Sequence, residues 1–144
     1  EDPGKYLAGR YRLHQPRIDL GAALRDTASA GLDVSDGLVA DLGHLCRASG
    51  VGAEIDVARI PLSDAARTII DADPGKMDLI LGGGDDYELV FTVPPKRIKH
   101  IEREASSLGV PVARIGRIVA GEGVHVIGPS GGEFTPRLSG YRHR

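Results

Sequence analysis

The stretch GLDVSDGL, residues 31–38, places two carboxylates and one hydroxyl within four residues. A short apolar segment at residues 32–34 predicts a buried strand, so that Asp33 lies near the C-terminal end of that strand. The residues that follow have apolar side chains at helical spacing, which predicts a helix over residues 36–49 with Asp36 at its first position. A helix N-cap needs only one side-chain oxygen, so the surplus oxygens at this junction raise the question of a ligand.

A junction between a strand and a helix is a common ligand site, because backbone N–H groups and the helix dipole point toward it. Two carboxylates about 4 Å apart repel each other by about 4 kcal/mol at an effective dielectric constant of about 20. A bound cation removes that cost, and carboxylate and hydroxyl oxygens suit a hard ion such as Mg²⁺. The alternative is that Ser35 or Asp36 caps the helix and that Asp33 is only an exposed acid. Spacing alone leaves both interpretations open.

A second motif, GGGDDY at residues 82–87, combines three glycines with two acids ahead of a predicted strand at residues 88–93. The glycines allow positive φ angles and a close approach of the backbone to a ligand. The motif is not a P-loop, because no Gly-Lys-Ser/Thr follows, and it lacks the context of the dinucleotide-binding glycine motif. A tight loop with solvated acids remains the alternative.

Helices and strands alternate along the rest of the chain. The spacing of apolar residues predicts helices at 18–30, 36–49, 64–72 and from Pro94-Pro95 to about 108, and strands at 32–34, 51–57, 88–93, 110–118 and 123–127. Residues 77–81 fit either a helix or a strand, and residues 1–17 are interpreted as an arm or linker ahead of a domain at residues 18–144. The pattern predicts an α/β (α+β) fold, in which a mixed β-sheet packs against helices that lie largely on one face.

Composition and charge exclude several functional classes. The formal net charge is −2 and the 18 Lys and Arg residues are scattered, so we expect no nucleic-acid-binding face. No apolar run approaches the roughly 20 residues that span a membrane, and we expect a cytoplasmic protein. The single cysteine, Cys46, excludes an internal disulfide and a cysteine-cluster metal site. The five histidines belong to no hydrolase motif and are interpreted as structural or exposed.

The two motifs together are more specific than either alone. The segment LDVSDGLVADLGHLCRASGVGAEID begins at residue 32, and LGGGDDYELVFTVP begins at residue 81. This pair closely resembles the thiamine-monophosphate kinases, which have a D-[IV]-S-D-G-L motif leading into a helix and a G-G-E-D-Y-E-L segment leading into a strand. The upstream QPRIDLGAAL and the final SGYRHR are also similar to that family, so the resemblance covers nearly the whole chain.

The resemblance implies a fold, a reaction and partners. The family belongs to the superfamily of aminoimidazole ribonucleotide synthetases and selenophosphate synthetases, whose members have two domains, bind ATP and form dimers through their N-terminal domains. This chain corresponds to the C-terminal domain, and we expect the N-terminal ATP-binding domain to be absent from it, which agrees with a start at Glu1 rather than Met. The implied reaction is the Mg²⁺-dependent phosphorylation of thiamine monophosphate by ATP to thiamine diphosphate, and we expect this chain alone to be inactive.

The resemblance also implies roles for individual residues. Asp33 matches the first acid of the family's motif and Asp36 the second, so each is implied to ligate Mg²⁺, and Ser35 is implied to contact ATP. Asp85 stands where the family usually has Glu and is implied to contact the thiamine phosphate substrate. Tyr141 stands at a terminal aromatic position and is implied to stack on a thiamine ring.

The implied chemistry does not require a catalytic histidine. Thiamine monophosphate supplies its own phosphate oxygen as nucleophile, and this oxygen is mostly deprotonated at neutral pH because the second phosphate pKa is about 6. Phosphoryl transfer then depends on positioning and neutralising two polyanions. Two alternatives stay open: a related enzyme that acts on a different phosphate acceptor, and a non-catalytic binding domain that keeps the fold.

Overall fold

The structure, a computed structural model, describes residues 2–137. Its helices are α1 (Pro3–Arg12), α2 (Ile18–Leu24), α3 (Leu38–Ser49), α4 (Asp64–Ala72), α5 (Met77–Gly82) and α6 (Ile98–Ser107). Its strands are β1 (Ala30–Asp33), β2 (Gly52–Asp56), β3 (Leu89–Thr92), β4 (Gly116–Val119) and β5 (Gly123–Ile127). Short 3-10 turns lie at Val57–Arg59, Pro74–Lys76 and Pro95–Arg97. This alternation of helices and strands confirms the predicted α/β class.

The described strands form two sheets. β1 and β3 pair antiparallel as a two-stranded ribbon, with Ala30 opposite Thr92 and Asp33 opposite Leu89. The other sheet has the order β4-β2-β5, in which β2 runs antiparallel to β4 and parallel to β5. The three-stranded sheet is the predicted mixed sheet, whereas the β1–β3 ribbon is a separate sheet.

Helix α3 organises the main core. Its side chains Leu42 and Cys46 are buried, at 3% and 0% exposure, and the helix contacts β1, β2, β5 and α5. Buried side chains from both sheets, from the residues that directly follow β1 and β2, and from α5 complete this core: Val34, Ala53, Ile55, Val57, Met77, Leu81, Val90 and Val126. A smaller cluster joins α2 to α6 through Leu20, Leu24, Ile101 and Ala105.

Residues 3–12 form a helix where the sequence pattern predicted an irregular arm. The carboxylate of Asp2 accepts a hydrogen bond from the N–H of Gly4 at 2.9 Å, and Pro3 occupies the first turn, so the helix has a regular start. None of its residues is buried, although Pro3, Leu7 and Arg10 are half-buried.

Two helix boundaries near the first motif differ from the prediction. α2 ends at Leu24 rather than at residue 30, because the chain from residue 30 onward pairs with β3. α3 begins at Leu38 rather than at Asp36, because Gly37 takes a φ of 116° and a ψ of 146°, which no helix contains.

The second half of the chain follows the prediction more closely. α4 has the predicted bounds, and the ambiguous segment around residue 80 is helical. β4 begins only at Gly116, which lies so close to the backbone of Glu54 that a Cβ there would overlap it. In the part of the chain that the structure describes, no helix has both the length and the apolar character needed to cross a membrane.

Gly37 occupies a position that cannot hold a side chain. Its φ is positive, and a Cβ would lie 2.9 Å from the carbonyl carbon and oxygen of Gly82. We expect Gly37→Ala to lower the free energy of unfolding by about 3 kcal/mol or more, because backbone strain and overlap with the main chain add together. Urea-induced unfolding followed by circular dichroism measures the loss.

Gly50→Ala is the matched control for this substitution. Gly50 also has a positive φ, of 65°, but a Cβ at this residue would have no heavy atom within 4 Å beyond its chain neighbours. Backbone strain alone then predicts a loss of about 1 kcal/mol. Equal losses in the two variants would contradict a tight contact between Gly37 and Gly82.

Candidate active site

The two sequence motifs meet where the β1–β3 ribbon ends. The N–H of Val34 donates to the carbonyl of Glu88, and the N–H of Tyr87 donates to the carbonyl of Val34, both at 2.8 Å. One step further, the N–H of Asp85 donates to the carbonyl of Ser35, also at 2.8 Å. These main-chain hydrogen bonds extend the ribbon into both loops and bring the two motifs into direct contact.

The glycines of the second motif allow this contact. A Cβ at Gly84 would lie 2.5 Å from the carbonyl oxygen of Ser35, so the backbones approach each other too closely for a side chain. Glycines 82–84 do not have positive φ angles; Asp85 and Tyr87 do, at 67° and 49°. The interpretation that these glycines supply positive φ is therefore wrong, and the close approach that they permit is to the first motif.

The surplus oxygens of the first motif do not cap helix α3. The N-cap residue is Gly37, and no side chain caps the helix. Instead, Asp41 in the first turn of α3 accepts hydrogen bonds on Oδ2 from the N–H groups of Ser35 and Asp36, each at 2.9 Å. The alternative in which Ser35 or Asp36 is the cap is therefore wrong.

Three potential metal ligands converge around Asp36. Within the described part of the chain, one group of His, Cys, Asp and Glu side chains has its ligand atoms within 4.8 Å of one another, and it consists of Asp36, Asp41 and His44. Asp41 is buried and Asp36 half-buried, whereas His44 is exposed and its Nδ1 lies 2.6 Å from an Arg47 nitrogen. Asp33 does not belong to this group.

Asp33 lies instead on an open depression beside the start of α2. The depression has a volume of about 500 Å³ and is lined by residues from the segment 14–21, by Asp33, by Tyr87 of the second motif and by Leu89 of β3. The charge of Asp85 raises the pKa of the Tyr87 phenol, and Asp33 adds a smaller contribution in the same direction. The two acids implied to bind Mg²⁺ therefore have different surroundings.

Aromatic side chains hold Asp85. The hydroxyl of Tyr11 donates to its Oδ2 at 3.1 Å, and the hydroxyl of Tyr87 donates to its Oδ1 at 3.3 Å. His14 Nε2 lies 2.8 Å from the Asp85 carbonyl oxygen, and the His14 ring meets the Tyr87 ring edge-on with 4.5 Å between centroids. The hydrogen bond to Asp85 raises the pKa of Tyr11.

Glu88 joins the second motif to the segment ahead of α2. Arg17 donates from Nε to Oε2 at 3.0 Å and from Nη2 to Oε1 at 2.8 Å, and Arg10 lies 3.5 Å from Oε1. Two parallel hydrogen bonds between a guanidinium and a carboxylate fix both groups in orientation as well as in distance. The hydrogen bond to Glu88 raises the pKa of Arg17. Glu88 is therefore paired with arginine side chains of residues 10–17.

The structure describes four of the five predicted site residues, and their surroundings differ from one another. It joins Ser35 to Asp85 through the main chain, sets Asp36 beside two other potential ligands, and leaves Asp33 on the neighbouring depression. Tyr141 lies outside the described residues.

Sequence reasoning missed four side chains of this site: Tyr11, His14, Arg17 and Asp41. The first three lie in the segment interpreted as an arm, although Arg17 also falls in the QPRIDLGAAL segment that resembles the family. Asp41 had a local signal, because it shares a helix face with the apolar Leu45 and an acid on such a face is expected to be buried with a partner.

Known proteins provide a comparison for this geometry. The family model described as AIR synthase related protein, C-terminal domain, matches residues 6–128. The chain belongs to this family. Among curated relatives of this AIR synthase related domain, the thiamine-monophosphate kinase of Salmonella typhimurium is 43% identical over 144 positions, which cover 99% of this chain and 44% of that protein. The chain spans less than half the length of the curated relatives it matches.

Solved structures agree with this assignment. The thiamine-monophosphate kinase from Stenotrophomonas maltophilia K279a has a TM-score of 0.73 and 47% identity, over 78% of this chain and 35% of that chain. A structure of AaThiL complexed with AMPPCP and TMP has a TM-score of 0.76 and 31% identity, over 99% of this chain and 43% of that chain. These similarities confirm the predicted fold class and the family resemblance.

The pKa of Asp86 has a consequence for stability. Desolvation by the surrounding protein and the charges of Glu88 and Asp85 raise this pKa from 3.8 to about 6, while His14 acts in the opposite direction. An acid with a higher pKa in the folded chain favours folding when protonated, so its contribution to stability falls as the pH rises from about 4 to about 6. We therefore expect Asp86→Asn to gain thermal stability relative to the wild type across that range.

The measurement is the difference in Tm between variant and wild type at pH values from about 4 to about 7. Because the Asp86 side chain is exposed, we expect a small difference in Tm. Its sign and its pH range identify Asp86 as the source. Gly9→Ala, which adds no titratable group on the exposed side of α1, is the control and should give a difference independent of pH. A pH-independent difference for Asp86→Asn as well would contradict the raised pKa.

Proposed function

We propose that this chain is the C-terminal, substrate-side domain of an enzyme that transfers a phosphoryl group from ATP to thiamine monophosphate and so forms thiamine diphosphate. The observation that carries the proposal is the main-chain contact between the motifs, in which the Asp85 N–H donates to the Ser35 carbonyl at 2.8 Å. This contact sets the residues implied for nucleotide and metal beside the residue implied for substrate. Phosphoryl transfer between two polyanions requires that proximity.

The similarity to relatives supports this particular reaction. Curated relatives that are 43% and 40% identical to the chain are named thiamine-monophosphate kinase. The solved relative AaThiL is complexed with AMPPCP and TMP, that is, with ligands of both classes the proposal requires. We extend that pair of ligands to this chain as part of the proposal.

The chain offers a suitable donor set for the proposed metal ions. Asp36 would hold one Mg²⁺, with Asp41 and His44 close by, and Asp33 at the exposed end of β1 would hold another. Carboxylate oxygens are the ligands that Mg²⁺ prefers, and the bound ion would neutralise phosphate charge. Ser35, between these two acids in the sequence, would contact ATP.

Asp85 and Tyr141 would bind thiamine monophosphate. Asp85 is exposed, and its described side-chain partners are the neutral phenols of Tyr11 and Tyr87, so its charge is not cancelled by a cation of the described chain. The proposed nucleophile is a phosphate oxygen that is mostly deprotonated at neutral pH, since its pKa is about 6. The side chains of this domain therefore need only to hold and orient the reactants.

The complete enzyme requires more than this domain. The chain covers 44% of the Salmonella relative, and we place the remaining ATP and metal ligands, together with a homodimer interface, in an N-terminal domain. This arrangement follows the resemblance to the family.

Asp33→Asn tests the proposed metal role in the full-length protein. Asparagine keeps the size of the side chain but removes the charge, so we expect kcat to fall on the order of 100-fold, as for the loss of one stabilising group on a developing charge. ADP formation with ATP, Mg²⁺ and thiamine monophosphate is the measurement. Asp71→Asn changes an exposed acid of α4 and should keep the wild-type rate. A wild-type rate in Asp33→Asn would remove Asp33 from the metal site.

The wild-type full-length protein separates the proposal from its two alternatives. Isothermal titration should detect binding of thiamine monophosphate. Binding of another phosphorylated metabolite in its place would identify a related enzyme with a different acceptor. A folded protein that binds neither ATP nor any acceptor would be a non-catalytic domain.

The isolated 144-residue chain should form no ADP above background under the same conditions. The physical reason is that phosphoryl transfer needs both polyanions positioned at once, and we place most ligands of ATP outside this chain. The full-length protein at equal concentration is the positive control. Turnover by the isolated chain would contradict the proposed distribution of ligands between the two domains.

A further inference from the structure

We infer that Asp41 is a positioning residue of the proposed active site. Its buried carboxylate fixes the main chain of Ser35 and Asp36 in the conformation that presents the first side chain to the nucleotide and the second to Mg²⁺. The kinetic part of this inference rests on the proposed function, whereas its structural part can be tested independently.

Asp41 is a buried acid with a defined pair of donors. It is 6% exposed, and no other acidic or basic side chain between residues 2 and 137 is buried. Its Oδ2 accepts the N–H groups of Ser35 and Asp36, each at 2.9 Å. A buried carboxylate is costly unless it is hydrogen-bonded, and hydrogen bonds to an ionised acceptor are stronger than neutral ones. The burial of Asp41 is therefore tied to this loop.

The place of Asp41 on α3 makes it a rigid anchor. It lies in the first turn of the helix, where the partial positive charge of the helix N-terminus favours a carboxylate. The neighbouring Leu42 and Leu45 are buried at 3% and 7% exposure, so the helix cannot shift without disturbing packed side chains. Asp41 thus fixes the loop relative to the core.

The second motif holds the same loop from the other side. The carbonyl of Ser35 accepts from the Asp85 N–H at 2.8 Å, while the N–H of Ser35 donates to Asp41 at 2.9 Å. Removing the carboxylate of Asp41 would leave one of these two restraints and would leave two N–H groups without their acceptor. A displacement of a positioned group by about 1 Å can lower turnover by about 100-fold.

A direct metal-ligand role for Asp41 is the competing explanation. Its carboxylate lies within 4.8 Å of the ligand atoms of Asp36 and His44. Asparagine separates the two roles, because its amide oxygen can accept the same two hydrogen bonds but lacks the charge that a metal ligand provides. Asp41→Asn therefore preserves positioning, whereas Asp41→Ala removes both functions.

The structural measurement is amide hydrogen exchange of the full-length protein. Mass spectrometry then reports the exchange on a peptide that contains residues 34–37. We expect Asp41→Ala to speed exchange of the Ser35 and Asp36 amides about 10-fold or more, because both lose their acceptor. Asp41→Asn should exchange close to the wild-type rate. Unchanged exchange in Asp41→Ala would overturn the inference.

The kinetic measurement varies MgATP and thiamine monophosphate separately. We expect Asp41→Ala to lower kcat/KM for MgATP on the order of 100-fold, with KM for thiamine monophosphate changed less than about threefold, because the loop carries the nucleotide and metal contacts. Asp41→Asn should recover to within about fivefold of the wild type. Asp64→Asn, an exposed first-turn acid of α4, is the matched control and should not change either constant.

Two kinetic results would overturn the inference. One is a wild-type kcat/KM for MgATP in Asp41→Ala. The other is an Asp41→Asn variant as inactive as Asp41→Ala with normal amide exchange, which would make Asp41 a metal ligand. If Asp41→Ala does not fold, Asp41→Glu replaces it, since it keeps the charge but displaces the acceptor, and we expect the same loss for MgATP. A folded wild-type protein that does not phosphorylate thiamine monophosphate would refute the proposed function instead, and amide exchange would still decide whether Asp41 holds the loop.

Discussion

The main-chain contact between residues 34–37 and 82–87 is the constraint on which the rest of this domain depends. The two backbones approach so closely that a Cβ at Gly84 would lie 2.5 Å from the Ser35 carbonyl oxygen. The β1–β3 ribbon leads directly into this contact, and a slip by one residue would bring a side chain to a place that holds none. The contact therefore fixes the register of the ribbon and, through it, which acids of the two motifs become neighbours.

Helix α3 connects this contact to the core of the domain. It touches β1 of the ribbon as well as β2 and β5 of the mixed sheet, so one helix packs against both sheets. Gly37 permits the sharp change of direction between β1 and α3, because its φ of 116° is open to glycine but strained for other residues. The first motif thus decides the fold and carries the candidate site for the same reason: strand, turn and helix must meet within eight residues.

Sequence patterns predicted the elements whose determinants are local. α4 was predicted with its observed bounds, because a Ser63 N-cap and an amphipathic run mark it within nine residues. The end of α2 and the start of β1 were not predicted, because Ala30 becomes a strand only through its pairing with Thr92. α1 was missed for a different reason, since it buries no residue. The missing information for β1 is tertiary, whereas the signals for α1 are local and lie in its Asp2 cap and Pro3.

The acids of the site also depend on partners that a local sequence motif does not show. Asp85, Asp86 and Glu88 are near-equivalent carboxylates in the sequence, yet their partners differ. Glu88 is paired with the guanidinium of Arg17, Asp85 accepts two phenol hydroxyls, and Asp86 has a pKa of about 6 because it is desolvated beside the other two. The partners of Glu88 and Asp85 come in part from the segment before α2, about 70 residues away in the sequence. The motif therefore identifies candidate acids but does not show how each of them is paired. An acid neutralised by arginine is suited to hold the loop, and one that meets only neutral donors keeps its charge available for a ligand. That difference favours Asp85 over Glu88 as the residue that would meet the proposed substrate.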